Sequence, residues 1–138
     1  MTKLFSHIGW VALESGIGGM LRYGAVDASL SMFGPAWPVG TLAVNIVGSF
    51  VIGMLAGLVR PESRFYLEPH VRIMLMTGFC GGLTTFSFFS WQLLMQATEG
   101  HTLLAVTYPV LSIVGGMLAV WAGHEGGIRL SHKTSPQP

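Results

Sequence analysis

The chain has 138 residues, of which 51% are hydrophobic and only 9% charged, against roughly 25% charged in an average soluble domain. So few charges exclude a water-soluble globular surface, and a formal net charge of +1 gives no electrostatic case for nucleic acid or an acidic partner. One compact unit is expected at this length, with no internal disulfide, because Cys80 is the only cysteine.

Lys3 alone precedes the first apolar stretch, which then carries His7 and Glu14 and lacks a small-residue cleavage site. This does not read as a cleaved leader, so the first segment is expected to be retained as a helix. A spanning helix needs about 20 mostly apolar residues, because each adds about 1.5 Å toward about 30 Å of hydrocarbon. The first candidate, residues 4–23, is the least clean, because it holds Glu14 and closes at Arg22. A loop follows at 27–38, with Gly34, Pro35 and Pro38. Residues 39–59 form an uncharged second span. The next connection, 60–72, carries Arg60, Pro61, Glu62, Arg64, Glu68, Pro69 and Arg72, which hydrocarbon tolerates poorly. Residues 73–98 form an uncharged third span, longer than needed, and 102–123 a fourth after a tight turn at 99–101. Residues 129–138 are polar, end in Ser-Pro-Gln-Pro and are expected to be a disordered tail. The expected fold is therefore all-α, a four-helix transmembrane domain over residues 1–128.

Polar groups inside a span need a partner or a watery path. In the second span Thr41, Asn45 and Ser49 recur every four residues on one helix face, and Gly53 and Gly57 continue the stripe. That spacing suits a helix-packing seam with polar glue. Asn45 adds a primary amide, with two N–H donors that can face an anion. The third span holds Gly78-Phe79-Cys80-Gly81-Gly82-Leu83-Thr84-Thr85-Phe86-Ser87, whose glycines and threonines disfavour a continuous helix. A break there would free backbone carbonyls of the kind that hold a hard cation. A glycine-rich close-packing site explains the same residues. Phe86 and Phe89 share a face, as packing residues or as ring edges whose positive rim attracts a small anion. Ser87, Ser90 and Gln92 add donors. Tyr108, Ser112 and Gly116 repeat the four-residue spacing on the fourth span. Arg22 is either a snorkelling end charge or a vestibule charge that draws anions.

With these motifs in hand, the chain is identified as resembling the CrcB/Fluc fluoride channel family. The resemblance rests on the third-span run followed by Phe89-Ser90, on Gly19-Met20-Leu21-Arg22-Tyr23, and on Gly40-Thr41-Leu42-Ala43-Val44-Asn45 with Gly48-Ser49-Phe50. It covers nearly the whole chain in order. It implies a passive fluoride channel, with no enzymatic activity, in the cell (inner) membrane. It also implies four-helix subunits paired antiparallel, with two pores and one central Na⁺ held by backbone carbonyls of Gly81 and Thr84. Asn45, Phe86 and Phe89 would line the fluoride path, Tyr108 and Ser112 would face it, and Thr85 and Ser87 would add hydroxyls. Phe88, Gln92 and Gly116 stand where the family often has threonine, glutamate and, in some members, serine.

Charge placement pulls against one part of this. Lys3, Arg60, Arg64, Arg72, Arg129 and Lys133 fall on one side of the expected spans and only Arg22 near the other, which favours both termini in the cytoplasm. A homodimer needs one sequence inserted both ways. The alternative is a pair of related subunits of opposite fixed orientation. Two other functions fit the composition: a small proton-coupled drug or cation exporter using Glu14, and a structural membrane protein that transports nothing.

Overall fold

A computed structural model describes residues 2–60, 63 and 65–132. Arg64 and Lys133, which entered the charge count, and Pro61 and Glu62 of the 60–72 connection lie outside the described residues, as does the tail beyond His132. The described chain is all-α. Helix α1 (Thr2–Phe33) is followed by α2 (Val39–Leu58), α3 (Pro69–Ile73), a π-helical stretch (Met74–Cys80), α4 (Gly81–Leu83), α5 (Ser87–Thr98) and α6 (Thr102–His132).

Two helices run further than the sequence reading expected. The first was expected over 4–23 and the loop from 27, yet α1 continues to Phe33. Nothing before Gly34 breaks it. Gly34 adopts φ 73° and returns its N–H to Leu30 O at 2.9 Å, a left-handed glycine cap. Likewise α6 does not stop at 123 but reaches His132, so the first four residues of the expected tail are helical. The cause is packing: Gly127 lies against the backbone of Met54 and Leu58 on α2. The turn between α5 and α6 is closed by Gly100 at φ 82°, with His101 N–H bonded to Gln96 O at 2.9 Å and Gly100 N–H to Ala97 O at 3.4 Å. These are the two bonds of a Schellman motif.

Among the described residues three helical segments are long and apolar enough to cross a membrane: Val39–Leu58, Pro69–Thr98 and Thr102–Ser131. Helix α1 is longer than α2 but is not one of them, because Glu14, Arg22 and Asp27 interrupt its apolar character.

Glycine sets the packing. Side chains added at Gly53 and Gly57 of α2 would run into the backbone of Val120 and His124, and at Gly123 and Gly127 of α6 into Phe50 and Met54. The helices therefore touch backbone to backbone and run parallel, the close approach that membrane helices obtain from small residues. A second parallel pair joins α1 to the third span. Gly18 faces Phe79 O and Leu83 N, and Gly82 faces the Ser15 backbone, each with no room for a Cβ. Ser15 Oγ donates to Gly78 O at 3.2 Å.

Candidate functional site

The third span is interrupted where its glycine-threonine run predicts. A seven-residue π-helical stretch leads into α4, and after Leu83 the chain turns extended at Thr84 (φ −85°, ψ 161°) before α5 starts at Ser87. π-helical turns recur at functional sites because they re-aim side chains that a regular helix would space evenly.

The backbone groups of Thr84 and Thr85 at the break are each bound. Thr85 N–H donates to Asn45 Oδ1 at 2.8 Å, and Asn45 Nδ2 donates to Thr85 O at 3.0 Å. One side-chain amide thus takes both backbone groups of one residue, as a neighbouring strand would. In a continuous helix the Thr85 N–H would bond to Gly81 O, four residues back; turning it to Asn45 removes that donor from the Gly81 carbonyl. Thr84 N–H and Oγ1 both donate to Cys80 O, each at 3.0 Å. Arg22 Nη1 donates to Thr84 O at 3.4 Å. Thr85 Oγ1 accepts from Phe88 N–H at 3.2 Å and lies 3.4 Å from Ser87 Oγ, so it caps the N-terminus of α5. Gly48 makes room for the break, because a Cβ there would overlap Thr84 Cγ2.

Beside this break lies a groove of about 380 Å³. Its polar lining comes from Asn45, Ser49, Thr84, Thr85 and Ser112, and its aromatic lining from Phe86 and Phe89. The Ser112 hydroxyl is buried with no hydrogen-bond partner among the described residues. Phe86, Phe89 and Tyr108 form a tilted series with ring centroids 5.9 and 5.0 Å apart. Exposure falls from 80% at Phe86 through 8% at Phe89 to 0% at Tyr108. Tyr108 O–H donates to Gln92 Oε1 at 3.0 Å.

Several expected residues stand elsewhere. Tyr108 is fully buried behind Phe89 and does not line the groove. Ser87 is exposed and also outside it. Asn45 spends one N–H on Thr85, leaving one of its two. Arg22 reaches the break itself. Of the stripe on α2, Gly53 and Gly57 form the seam with α6, Ser49 enters the groove, and Thr41 is fully buried beside Tyr108. Phe88 points away, stacked on Trp91 at 5.3 Å. Gly81 is exposed, with nothing within 4 Å of a would-be Cβ. The sequence reading missed Ile52, Met76, Cys80 and Ile113 as groove walls. Met76 and Cys80 precede Thr84 at four-residue spacing, so a helical face read back from Thr84 could have found both.

These features define a small helical membrane protein whose interrupted span opens a groove of hydroxyl, amide and aromatic groups. The family described as CrcB-like protein, Camphor Resistance (CrcB), matches residues 9–124, and the chain belongs to it. It is similar to the fluoride-specific ion channel FluC of Rhodospirillum rubrum, with 41% identity over 95% of this chain and 98% of that protein. It is also similar to those of Chloroflexus aurantiacus (42%, over 82% and 88%) and Rhizobium leguminosarum bv. trifolii (44%, over 82% and 89%).

Proposed function

We propose that this chain is a fluoride-selective ion channel that lets fluoride leave the cell by passive electrodiffusion. The observation that carries the reading is the Asn45–Thr85 pair, which holds a helix break open beside a groove lined by Phe86, Phe89 and an unpartnered Ser112 hydroxyl. The relatives named fluoride-specific ion channels support it over nearly the full length.

Fluoride is small and strongly hydrated, so a pore must replace its water with donors. The Ser112 hydroxyl and the second N–H of Asn45 supply conventional donors. The rims of Phe86 and Phe89 carry partial positive charge without the full charge that would hold the ion. A negative cell interior then drives the anion outward.

The functional unit we infer is an antiparallel homodimer of four-span subunits in the cell (inner) membrane, with a pair of related subunits as the alternative. Three features support this. Helix α1 packs in parallel register with the third span from Val11 at Gly78 to Arg22 at Thr84, which gives it the same depth. Phe86 is 80% exposed on one subunit, and Gly81 faces open space. The Gly81 carbonyl, relieved of its helical donor, fits a hard cation, and with the Thr84 carbonyl it would hold Na⁺ between subunits. Such an ion supplies fixed positive potential without a titrating group. Thr84 O already accepts from Arg22, so the guanidinium and the ion would share it.

The test is fluoride efflux from liposomes holding the purified protein, read with a fluoride electrode and with chloride as control. Rapid fluoride loss without chloride movement is expected. A folded protein that passes neither ion, alone or co-expressed with a related subunit, would overturn the reading.

A further inference from the structure

A second groove, of about 560 Å³, lies toward the loop-side end of the third span. Its walls are mostly apolar, with Tyr66, Arg72 and Thr77 as the polar members. It shares two wall residues, Ile52 and Met76, with the groove at the break. The two hollows therefore adjoin at Ile52 and Met76.

The depth of this second groove follows from the helix. Arg72 precedes Thr84 by twelve positions, at most about 18 Å at about 1.5 Å per residue, close to half of the roughly 30 Å hydrocarbon thickness. With the break at mid-membrane, Arg72 stands where hydrocarbon meets water, and the two adjoining grooves lie between it and the break. Among the described residues the Arg72 guanidinium has no ion-pair partner.

We propose that the second groove is the loop-side mouth of the anion path, and that Arg72 concentrates fluoride there before it passes Ile52 and Met76 to the break. This rests on the channel reading above. A cation at the mouth of a cleft with low-dielectric walls focuses its field outward and raises the local anion concentration. A guanidinium keeps its charge at every physiological pH. Placed at the water boundary and not in the narrow part, it attracts fluoride without holding it. Thr77 offers a hydroxyl along the wall, and the unbranched Met76 side chain adapts to a passing ion.

The test compares fluoride efflux from liposomes for the unsubstituted chain, Arg72→Gln, Arg72→Lys and Thr77→Cys. Steering by one charge is screened by salt, with a Debye length of about 30 Å at 0.01 M and about 3 Å at 1 M. Arg72→Gln is therefore expected to slow efflux about threefold at the low salt and hardly at all at the high salt, and Arg72→Lys to restore most of the rate. A negatively charged thiol reagent is expected to slow Thr77→Cys at least about tenfold beyond its effect on the unsubstituted chain, because an added anion in the mouth repels fluoride. Two results overturn the proposal while leaving the channel intact. One is a conducting unsubstituted chain with Arg72→Gln equal to it at every salt and Thr77→Cys indifferent to the reagent. The other is a loss in Arg72→Gln that follows the anionic lipid content of the vesicle and not the salt, which assigns the groove to a lipid headgroup. An unsubstituted chain that passes no fluoride overturns the channel reading itself.

Discussion

The side-chain amide of Asn45 on α2 binds both backbone groups of Thr85 on the third span, at 2.8 and 3.0 Å. The two residues are forty positions apart in the chain, and their contact fixes where the span stays unwound. Asn45→Asp keeps the shape but removes the donor to Thr85 O. Leaving a buried carbonyl unpaired costs about 1–3 kcal/mol, and a carboxylate also repels an anion. Fluoride efflux is expected to fall at least about a hundredfold, with a lowered melting temperature in detergent; unchanged efflux in liposomes would detach this amide from the path.

Phe86 has little packing to lose within the subunit, being 80% exposed. Phe86→Ile keeps an apolar side chain while removing the positive ring edge. Expression and thermal stability should match the parent, and fluoride flux should drop more than about tenfold. A mutant with normal flux would reduce Phe86 to a contact with lipid or a partner subunit.

Two adjacent glycines separate folding from assembly. A Cβ at Gly82 would collide with the backbone of Ser15, whereas one at Gly81 meets nothing within 4 Å. Overpacking typically costs about 1–3 kcal/mol. Gly82→Ala is therefore expected to reduce the yield of folded protein. Gly81→Ala should fold as a subunit and show its defect in dimer content by cross-linking. Equal behaviour of the two variants would argue against an interface at Gly81.

Glu14 has one carboxylate oxygen buried and unpartnered among the described residues, yet it does not line the groove. Glu14→Gln is expected to leave fluoride efflux within about twofold of the parent, since it keeps the side-chain shape and changes a group outside the groove. Loss of all transport in that variant would favour the proton-coupled exporter.

The sequence alone determined the chemistry. An almost uncharged chain with three long apolar runs has to be helical in lipid, because only helices and closed barrels satisfy their backbone there. The glycine-threonine run fixed the interruption to Gly78–Ser87, since glycine and β-branched residues weaken a helix locally. The first span was harder to read: Glu14, Arg22 and Asp27 hide its length, and no breaker before Gly34 stops α1. The C-terminal end of α6 was also hidden, because Gly127 continues the helix by packing on α2, a long-range contact.

Which polar side chain faces what was decided by tertiary structure. The four-residue spacing put Thr41, Asn45 and Ser49 on one face of α2. Only the neighbours divide them, sending Asn45 to the break, Ser49 to the groove and Thr41 to a fully buried site beside Tyr108. Spacing likewise put Tyr108 and Ser112 on one face of α6, yet Phe89 covers the first and the groove takes the second. Periodicity gives the angle of a side chain about its own helix axis. The backbone contacts that place α1 against the break depend on what stands opposite, and that is set only when the helices pack.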